Sequence, residues 1–280
     1  MMFQGKKVFN ASFDAYADDY HEVRPGYPDQ MFNDIKAQCG ITGDSKLLEI
    51  GAGSGIATKK LAEFGCKITA LEPGSNLARI ARKHTSKLQN VEIIEDTFES
   101  FQPKGKFDTV LAFTAFHWVP GNDKYGRAME LLNDSGSLVI VWNSFLQDHS
   151  AVTAEVNEAY DRLLPTVYGK IGDSSEINKR VLAKLTSRER EIFLNDRLYP
   201  VFLRKYTARY NYDDKTYPQL LNTFPKIVGT EDSVRSSFLR EVSGIIKRHE
   251  MITVPVLTTV VICRRRESFL RMTVNEDREE

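Results

Sequence analysis

Glu49 stands two residues ahead of three glycines at alternate positions, Gly51, Gly53 and Gly55, within the stretch LLEIGAGSGIATKKLAEFGCKITALEPG at residues 47–74. Glycines in this setting, between an apolar run and a helix-forming segment, let backbone approach a ligand closely because no Cβ intervenes. Two ligand chemistries use such a loop. A dinucleotide brings a pyrophosphate and calls for a third glycine where this chain has Ile56, and its negative charge would meet Glu49 unfavourably. A ligand carrying positive charge would be favoured by the same carboxylate. Glu72 follows Gly51 by about 20 residues, where an acid can accept both hydroxyls of a ribose. It points to an adenosine without choosing between the two ligands.

S-adenosylmethionine meets these requirements. It has an adenosine, no phosphate, and a sulfonium and an ammonium that a carboxylate can stabilise. The elements that must hold the loop are legible around it. KLLEI reads as a short buried strand, Ala57, Leu61 and Phe64 recur at helical spacing with Gly65 as a stop, and CKITALE reads as a second strand. Ser75 is placed to cap a helix whose apolar side includes Leu77, Ile80, Ala81 and His84. VEIIE and FDTVLAF are third and fourth strands, YGRAMELL a helix, NDSG a turn and SLVIVW a fifth strand. Upstream, Tyr27-Pro28-Asp29 begins a helix that Gly40 ends. Such alternation calls for a mostly parallel sheet covered by helices on both faces.

Past Trp142 the pattern changes. AVTAEVNEAYDRLL and SREREIFLN read as helices separated by YGKIGDSS, and YPVFLRKYTARYNY as a strand rich in aromatic and basic residues. DDKTYPQLLNTF and DSVRSSFLREVSGIIKRH are helices. MITVPVLTTVVICRR is a last long strand, with Pro255 marking an edge or bulge.

These residues resemble a known family. The stretch at 47–74 is similar to the first motif and following acidic motif of class I S-adenosylmethionine-dependent methyltransferases. The likeness extends to FDAYADDYHEVRPGYP, FDTVLAFTAFHWV, LLNDSGSLVIVWN, YTARYNY and ITVPVLTTVVICRR. Within the family it resembles the bacterial methyltransferase-domain subgroup of ubiquinone/trans-aconitate-methyltransferase type. The resemblance implies an α/β, Rossmann-like sheet of seven strands, mostly parallel with the last antiparallel, helices on both faces and a helical lid insertion. It implies S-adenosylmethionine as cofactor across the ends of strands one, two and four, with contacts at Glu49, Gly51, Ala52, Gly53, Gly55, Glu72, Pro73 and Phe113. The family's Gly-Asp pair after strand three, whose acid binds the adenine amino group, falls on Asp96-Thr97 here. The adenine contact is therefore assigned to Asp96, Thr97 or the Phe98 amide, while a solvated loop acid is the plainer reading of Asp96. In similar enzymes the N-terminal segment closes over the cofactor, which gives Tyr20 and Arg24 that role; an amphipathic helix packing its aromatics on the core is the alternative. Tyr16 shares their four-residue spacing and is read as helix packing.

Methyl transfer from a sulfonium is an in-line displacement that mainly requires alignment and exclusion of water. His117, in FTAFHWVP after strand four, is the candidate base; a loop histidine packed on Trp118 is the alternative. Phe145, Tyr160, Tyr168 and Phe193 could wall an apolar acceptor pocket, or serve as ordinary helix packing. The organisation reads as an N-terminal cofactor-closing segment 1–40, a cofactor-binding core 41–147, a helical lid 148–198, C-terminal strands and helices 199–266, and a charged tail 267–280.

The 280 residues balance 38 Lys and Arg against 38 Asp and Glu. Zero net charge argues against a nucleic-acid partner, although Arg204, Lys205, Arg209 and Arg264–Arg266 could form a local docking patch. Cys39, Cys66 and Cys263 lack metal-ligand spacing and read as reduced thiols. No signal-peptide core or membrane-spanning segment is seen, and the Asn-Ala-Ser triplet at Asn10 reads as chance. The expectation is a cytoplasmic enzyme acting on a small molecule, with no metal and no membrane partner. Oligomeric state is not readable from the sequence.

Overall fold

A computed structural model describes residue 14 and residues 16–121 and 123–267. The Asn10 triplet and most of the charged tail lie outside the described residues.

The elements follow in chain order. Helix α1 is Ala17–Val23 and α2 is Asp29–Cys39; then come β1 Lys46–Ile50, α3 Ile56–Ala62, β2 Lys67–Leu71, α4 Ser75–Thr85, β3 Val91–Ile94 and β4 Phe107–Phe113. A short helical turn at Phe116–Trp118 leads to α5 Lys124–Leu131 and β5 Leu132–Phe145. The remainder is α6 Ala151–Leu163, α7 Pro165–Tyr168, α8 Ser174–Phe193, β6 Leu198–Tyr212, α9 Thr216–Leu221, α10 Pro225–Val228, α11 Asp232–His249 and β7 Ile252–Arg265.

One seven-stranded sheet runs in the order β3-β2-β1-β4-β5-β7-β6. It is parallel except for the antiparallel β5–β7 and β7–β6 pairings. This is the sheet the family resemblance implied. Strand β1 lies inside it, pairing Glu49 with Ala70 of β2 and with Leu111 of β4. With neighbours on both edges and helices on the faces, β1 past its exposed Lys46 reads as an apolar run broken by Glu49.

Local chemistry explains most boundaries. Pro28 fixes the entry to α2, and Gly40, at φ 61° and ψ 36°, ends it in the left-handed conformation that glycine adopts without penalty. Ser75 does not cap α4 as the sequence suggested. Gly74 occupies the cap position, Ser75 is the first helical residue, and its hydroxyl instead donates to Glu95 at 2.5 Å. The NDSG segment, expected as a free turn, is absorbed into the start of β5. There the pairing with β4 slips, from Phe107 opposite Leu132 to Thr109 opposite Ser137, so the extra residues leave the ladder as an irregularity. The helix read at SREREIFLN is the end of the much longer α8, which begins at Ser174.

The chain divides into two compact units. One gathers residues up to Pro25, Ser144–Thr186 and Thr207–Leu257; the other gathers Gly26–Asn143, Ser187–Tyr206 and Thr258 onward. The expected lid, 148–198, is thus shared between them. The first unit packs α6 against α11 and α1 against α9 around Val156, Tyr160, Leu220, Phe238, Val242 and Ile246. The second has its own core of Met31, Ile35, Leu47, Leu61, Leu111, Val139 and Ile262. No helix among the described residues is long and apolar enough to cross a membrane.

Phe238 is fully buried, and its ring centroid lies 4.5 Å from that of Tyr160. Phe238→Ala should lower unfolding free energy by about 3–5 kcal/mol, read from urea denaturation midpoints.

Candidate functional site

The second unit brings the loop residues together at the carboxyl end of β1. Gly51, Gly53 and Gly55 all take positive φ, at 68°, 59° and 84°. Two of them are also sterically required. A Cβ on Gly51 would come within 2.6 Å of the Ala115 Cβ, and one on Gly55 within 3.3 Å of Ala81 in α4. The loop is pinned by the Ala52 amide donating to the Leu71 carbonyl at 2.9 Å and the Gly55 amide to the Ala52 carbonyl at 3.0 Å. Gly55 then serves as cap of α3.

Glu49 is 1% exposed. Its Oε2 accepts a 2.6 Å bond from the Thr58 hydroxyl of α3, while Oε1 is buried with no hydrogen-bond partner. Burial, first of all, drives the carboxyl up to about 8; the Thr58 bond opposes this and the nearby Glu72 charge adds to it. An acid of that kind, one oxygen unsatisfied, is a cradle for a cationic or hydrogen-bond-donating group.

Glu72, at the end of β2, is also buried. Its two oxygens accept from the Gly53 amide at 2.7 Å and the Gly74 amide at 2.8 Å. The carboxylate therefore shapes the glycine loop itself. Pro73 follows it, exposed.

Asp96 does the work of a loop cap. Its Oδ1 accepts from the Thr97 amide at 2.7 Å and from the Ser100 hydroxyl at 2.5 Å, and the Thr97 hydroxyl bonds that of Ser100 at 2.6 Å. Phe98 is buried, ring centroid 6.4 Å from that of Phe116. Phe113 is buried, stacked on Phe32 at 5.8 Å and edge-on to Tyr27 at 5.1 Å.

The sequence reading missed Thr114. It takes φ 55°, a backbone state costly for a β-branched residue. Its amide donates to the Val141 carbonyl at 2.7 Å, and its hydroxyl meets the Tyr27 hydroxyl at 3.1 Å and accepts from the Asn143 amide at 3.1 Å. Asn143 is fixed in turn by bonds to the Gly26 carbonyl and from the Thr258 hydroxyl. This polar network holds the strained residue that places Ala115 against Gly51. Nothing in the sequence advertises it, since a Thr after an apolar strand is unremarkable.

His117 sits in the Phe116–Trp118 turn with its ring packed on Trp118, centroids 4.9 Å apart. Tyr20 and Arg24 belong to the first unit. There the Arg24 guanidinium donates to the Thr223 hydroxyl at 2.8 Å and carbonyl at 2.9 Å and lies over the rings of Tyr20, Phe145 and Phe224. Tyr16 packs there under Arg235. No cluster of three metal-ligating side chains is found among the described residues, and all three cysteines are free.

The comparisons with known proteins fit this geometry. Residues 48–140 match the methyltransferase domain family. An uncharacterized methyltransferase of Alkaliphilus oremlandii is 31% identical over 150 residues, covering 49% of this chain and 68% of the relative. The chain belongs to the class I S-adenosylmethionine-dependent methyltransferases. This methyltransferase is also 31% identical over 133 residues to a Dictyostelium discoideum protein named as a methyltransferase, of which it spans about half, 49%. Among solved structures, a type II methyltransferase of Anaeromyxobacter dehalogenans shares its fold with TM-score 0.55 at 18% identity, covering 86% of this chain and 97% of that one. A Thiobacillus denitrificans S-adenosylmethionine-dependent methyltransferase, solved with S-adenosylhomocysteine, gives TM-score 0.50 at 13% identity, over 90% of this chain and 97% of that one.

In the methyltransferase without ligand, Glu49 holds its proton in the folded state to higher pH than in the unfolded chain. The native state thus binds more protons between about 4.5 and about 8, and stability falls as pH rises through that window. Glu49→Gln should therefore gain stability over wild type as pH is raised from ~5 to ~9, by at least ~1 kcal/mol at the upper end, with little difference at the lower. Urea midpoints at the two pH values test this.

Proposed function

We propose that the chain binds S-adenosylmethionine at the β1 loop and transfers its methyl group to a small organic acceptor by in-line displacement. The observation that carries the reading is the buried, half-satisfied Glu49 carboxyl at the end of β1, beside glycines whose Cβ positions are already filled. A pyrophosphate would be repelled there once the acid ionises, and a cationic ligand would restore its charge.

The bound cofactor would supply a methyl group on an already activated carbon. The protein's share is positional. The Gly51–Gly55 backbone admits the ligand, Glu49 receives its cationic end directly or through water, and Glu72 takes ribose hydroxyls. The adenine falls to Asp96, Thr97 or the Phe98 amide, with Asp96 Oδ1 engaged by Thr97 and Ser100 and the Thr97 hydroxyl by Ser100. Ala52 and Pro73 contribute backbone and surface beside the two acids, and Phe113 supports the floor. Tyr20, Arg24 and the base role of His117 enter on the resemblance alone. A carboxylate acceptor would need no base; a phenol or amine could use one.

A small acceptor is favoured over RNA or protein because several basic residues that could dock a polyanion face acids of the chain itself. Arg204 pairs with Asp34 at 2.8 Å, Lys205 with Glu189 at 2.8 Å and Arg209 with Asp148 at 4.0 Å. Arg265 donates to the Met129 carbonyl at 2.6 Å. Sequences for amino-group methylation of adenine or glutamine, such as Asn-Pro-Pro-Tyr, are also missing after β4.

Isothermal titration should show S-adenosylhomocysteine binding and no NAD binding, and the reverse would sink the proposal. Glu49→Ala should weaken the former by at least ~1.5 kcal/mol, roughly tenfold. Because a cation lowers the Glu49 pKa, S-adenosylmethionine should bind near neutral pH with release of a proton. The binding heat would then vary with buffer ionisation enthalpy in wild type and not in Glu49→Gln.

A further inference from the structure

The first unit contains a cavity of ≈ 420 Å³, within the range of small-molecule sites. Its walls are apolar and aromatic: Phe145, Tyr160, Ile171, Tyr217, Leu220 and Phe224 among others. Phe145, Tyr160 and Tyr168 were expected at an acceptor pocket and do line it. Phe193 does not; it is 49% exposed in the other unit.

Charge is distributed unevenly over this lining. It includes Arg180, Lys184 and Lys226, all exposed residues, and no Asp or Glu. Lys226 lies over the Tyr168 ring at 4.9 Å, and the Arg180 Nε reaches the Glu176 carbonyl at 3.4 Å. Asp148, next to the lining residue Gln147, is turned to other work, accepting from the Ser150 and Thr153 hydroxyls at 2.6 Å each and facing Arg209. Inside, burial raises the Tyr160 and Tyr217 phenols well above their usual range and pushes Tyr168 up to about 12, so all three stay neutral donors. Among the described residues none of these hydroxyls has a protein hydrogen-bond partner. Gln147, by contrast, is satisfied by a paired amide exchange with Asn157 at 2.8 and 2.9 Å.

We infer that this cavity binds a small amphipathic acid, with an aromatic or aliphatic body among the buried rings and a carboxylate held by Arg180, Lys184 and Lys226. Exposed cations over an apolar interior favour a ligand with both properties, and phenols without partners favour one that brings acceptor oxygens. A neutral hydrocarbon would gain nothing from the positive charge along the lining, and an amine would meet it repulsively. That the acid is the methyl acceptor rests on the function proposed above; that the cavity binds it does not.

The test is calorimetric titration of the full chain with decanoate, cinnamate and naphthoate against their primary amides, with S-adenosylhomocysteine titrated in parallel. At least one acid should bind about tenfold or more tightly than its amide. The preference should shrink in Arg180→Gln and Lys226→Gln, and Val181→Trp, which fills the cavity, should abolish binding. Equal affinity for acid and amide, preference for the amide, or no binding by any acid would overturn the inference. Unchanged S-adenosylhomocysteine binding in that case would leave the methyltransferase proposal standing, and its loss with acid binding intact would do the converse. The acid–amide comparison on wild type needs no variant, so a variant that fails to fold does not block the answer.

Discussion

Burying a carboxyl with one oxygen unpaired is expensive, and the structure around β1 is organised by that cost. Glu49 cannot reach water, has one hydroxyl partner in Thr58, and answers its environment by holding a proton. Thr58 can serve it only because α3 starts where the Gly55 turn sends the chain back over the strand end. That turn requires three left-handed residues in succession at alternate positions, which in practice means glycine. Glu72 closes the arrangement from the neighbouring strand by taking two backbone amides, one of them from the loop. The two acids thus divide their tasks. Glu72 is satisfied by the protein and fixes shape, whereas Glu49 is left partly unsatisfied and waits on a ligand.

Much of this was legible in the sequence because the signals were local. Alternating glycines, an acid before them and an acid after the next strand form a pattern with few other uses. The helix end at Gly40 followed from the backbone state that glycine permits, whereas α3 stops at Ala62, three residues before Gly65. What escaped reading depends on partners distant in the chain. Thr114 is strained because Tyr27, Val141 and Asn143 hold it, and no local pattern encodes that. Alignment set Thr97 on the family's acid with Asp96 one place away, and it gave no sign that the Ser100 hydroxyl would bond both. Ser75 was a plausible cap until Glu95, on the loop after β3, took its hydroxyl. The acids that pair with Arg204 and Lys205 of β6, Asp34 and Glu189, are likewise distant in the chain.

The two units also differ in how their polar groups are spent. In the second, Glu72 and Asp96 are bonded to backbone or to neighbouring hydroxyls, while one oxygen of Glu49 is not. In the first, polar side chains such as Gln147 and Asn157 are paired off while the phenols at the cavity are not. Interiors normally satisfy such groups, so where they are left over the arrangement points outward, to something the chain itself does not supply.

The interleaving of the units has a consequence for biosynthesis. The first unit draws on residues before Pro25, on Ser144–Thr186 and on Thr207–Leu257, while the second needs strand residues from Thr258 onward. Neither core can close while the last quarter of the chain is still within the ribosome. The early strands, apolar on both faces, must therefore emerge and wait without the edge partners that will cover them. A nascent chain built this way depends on chaperones during translation more than one whose domains follow each other in sequence.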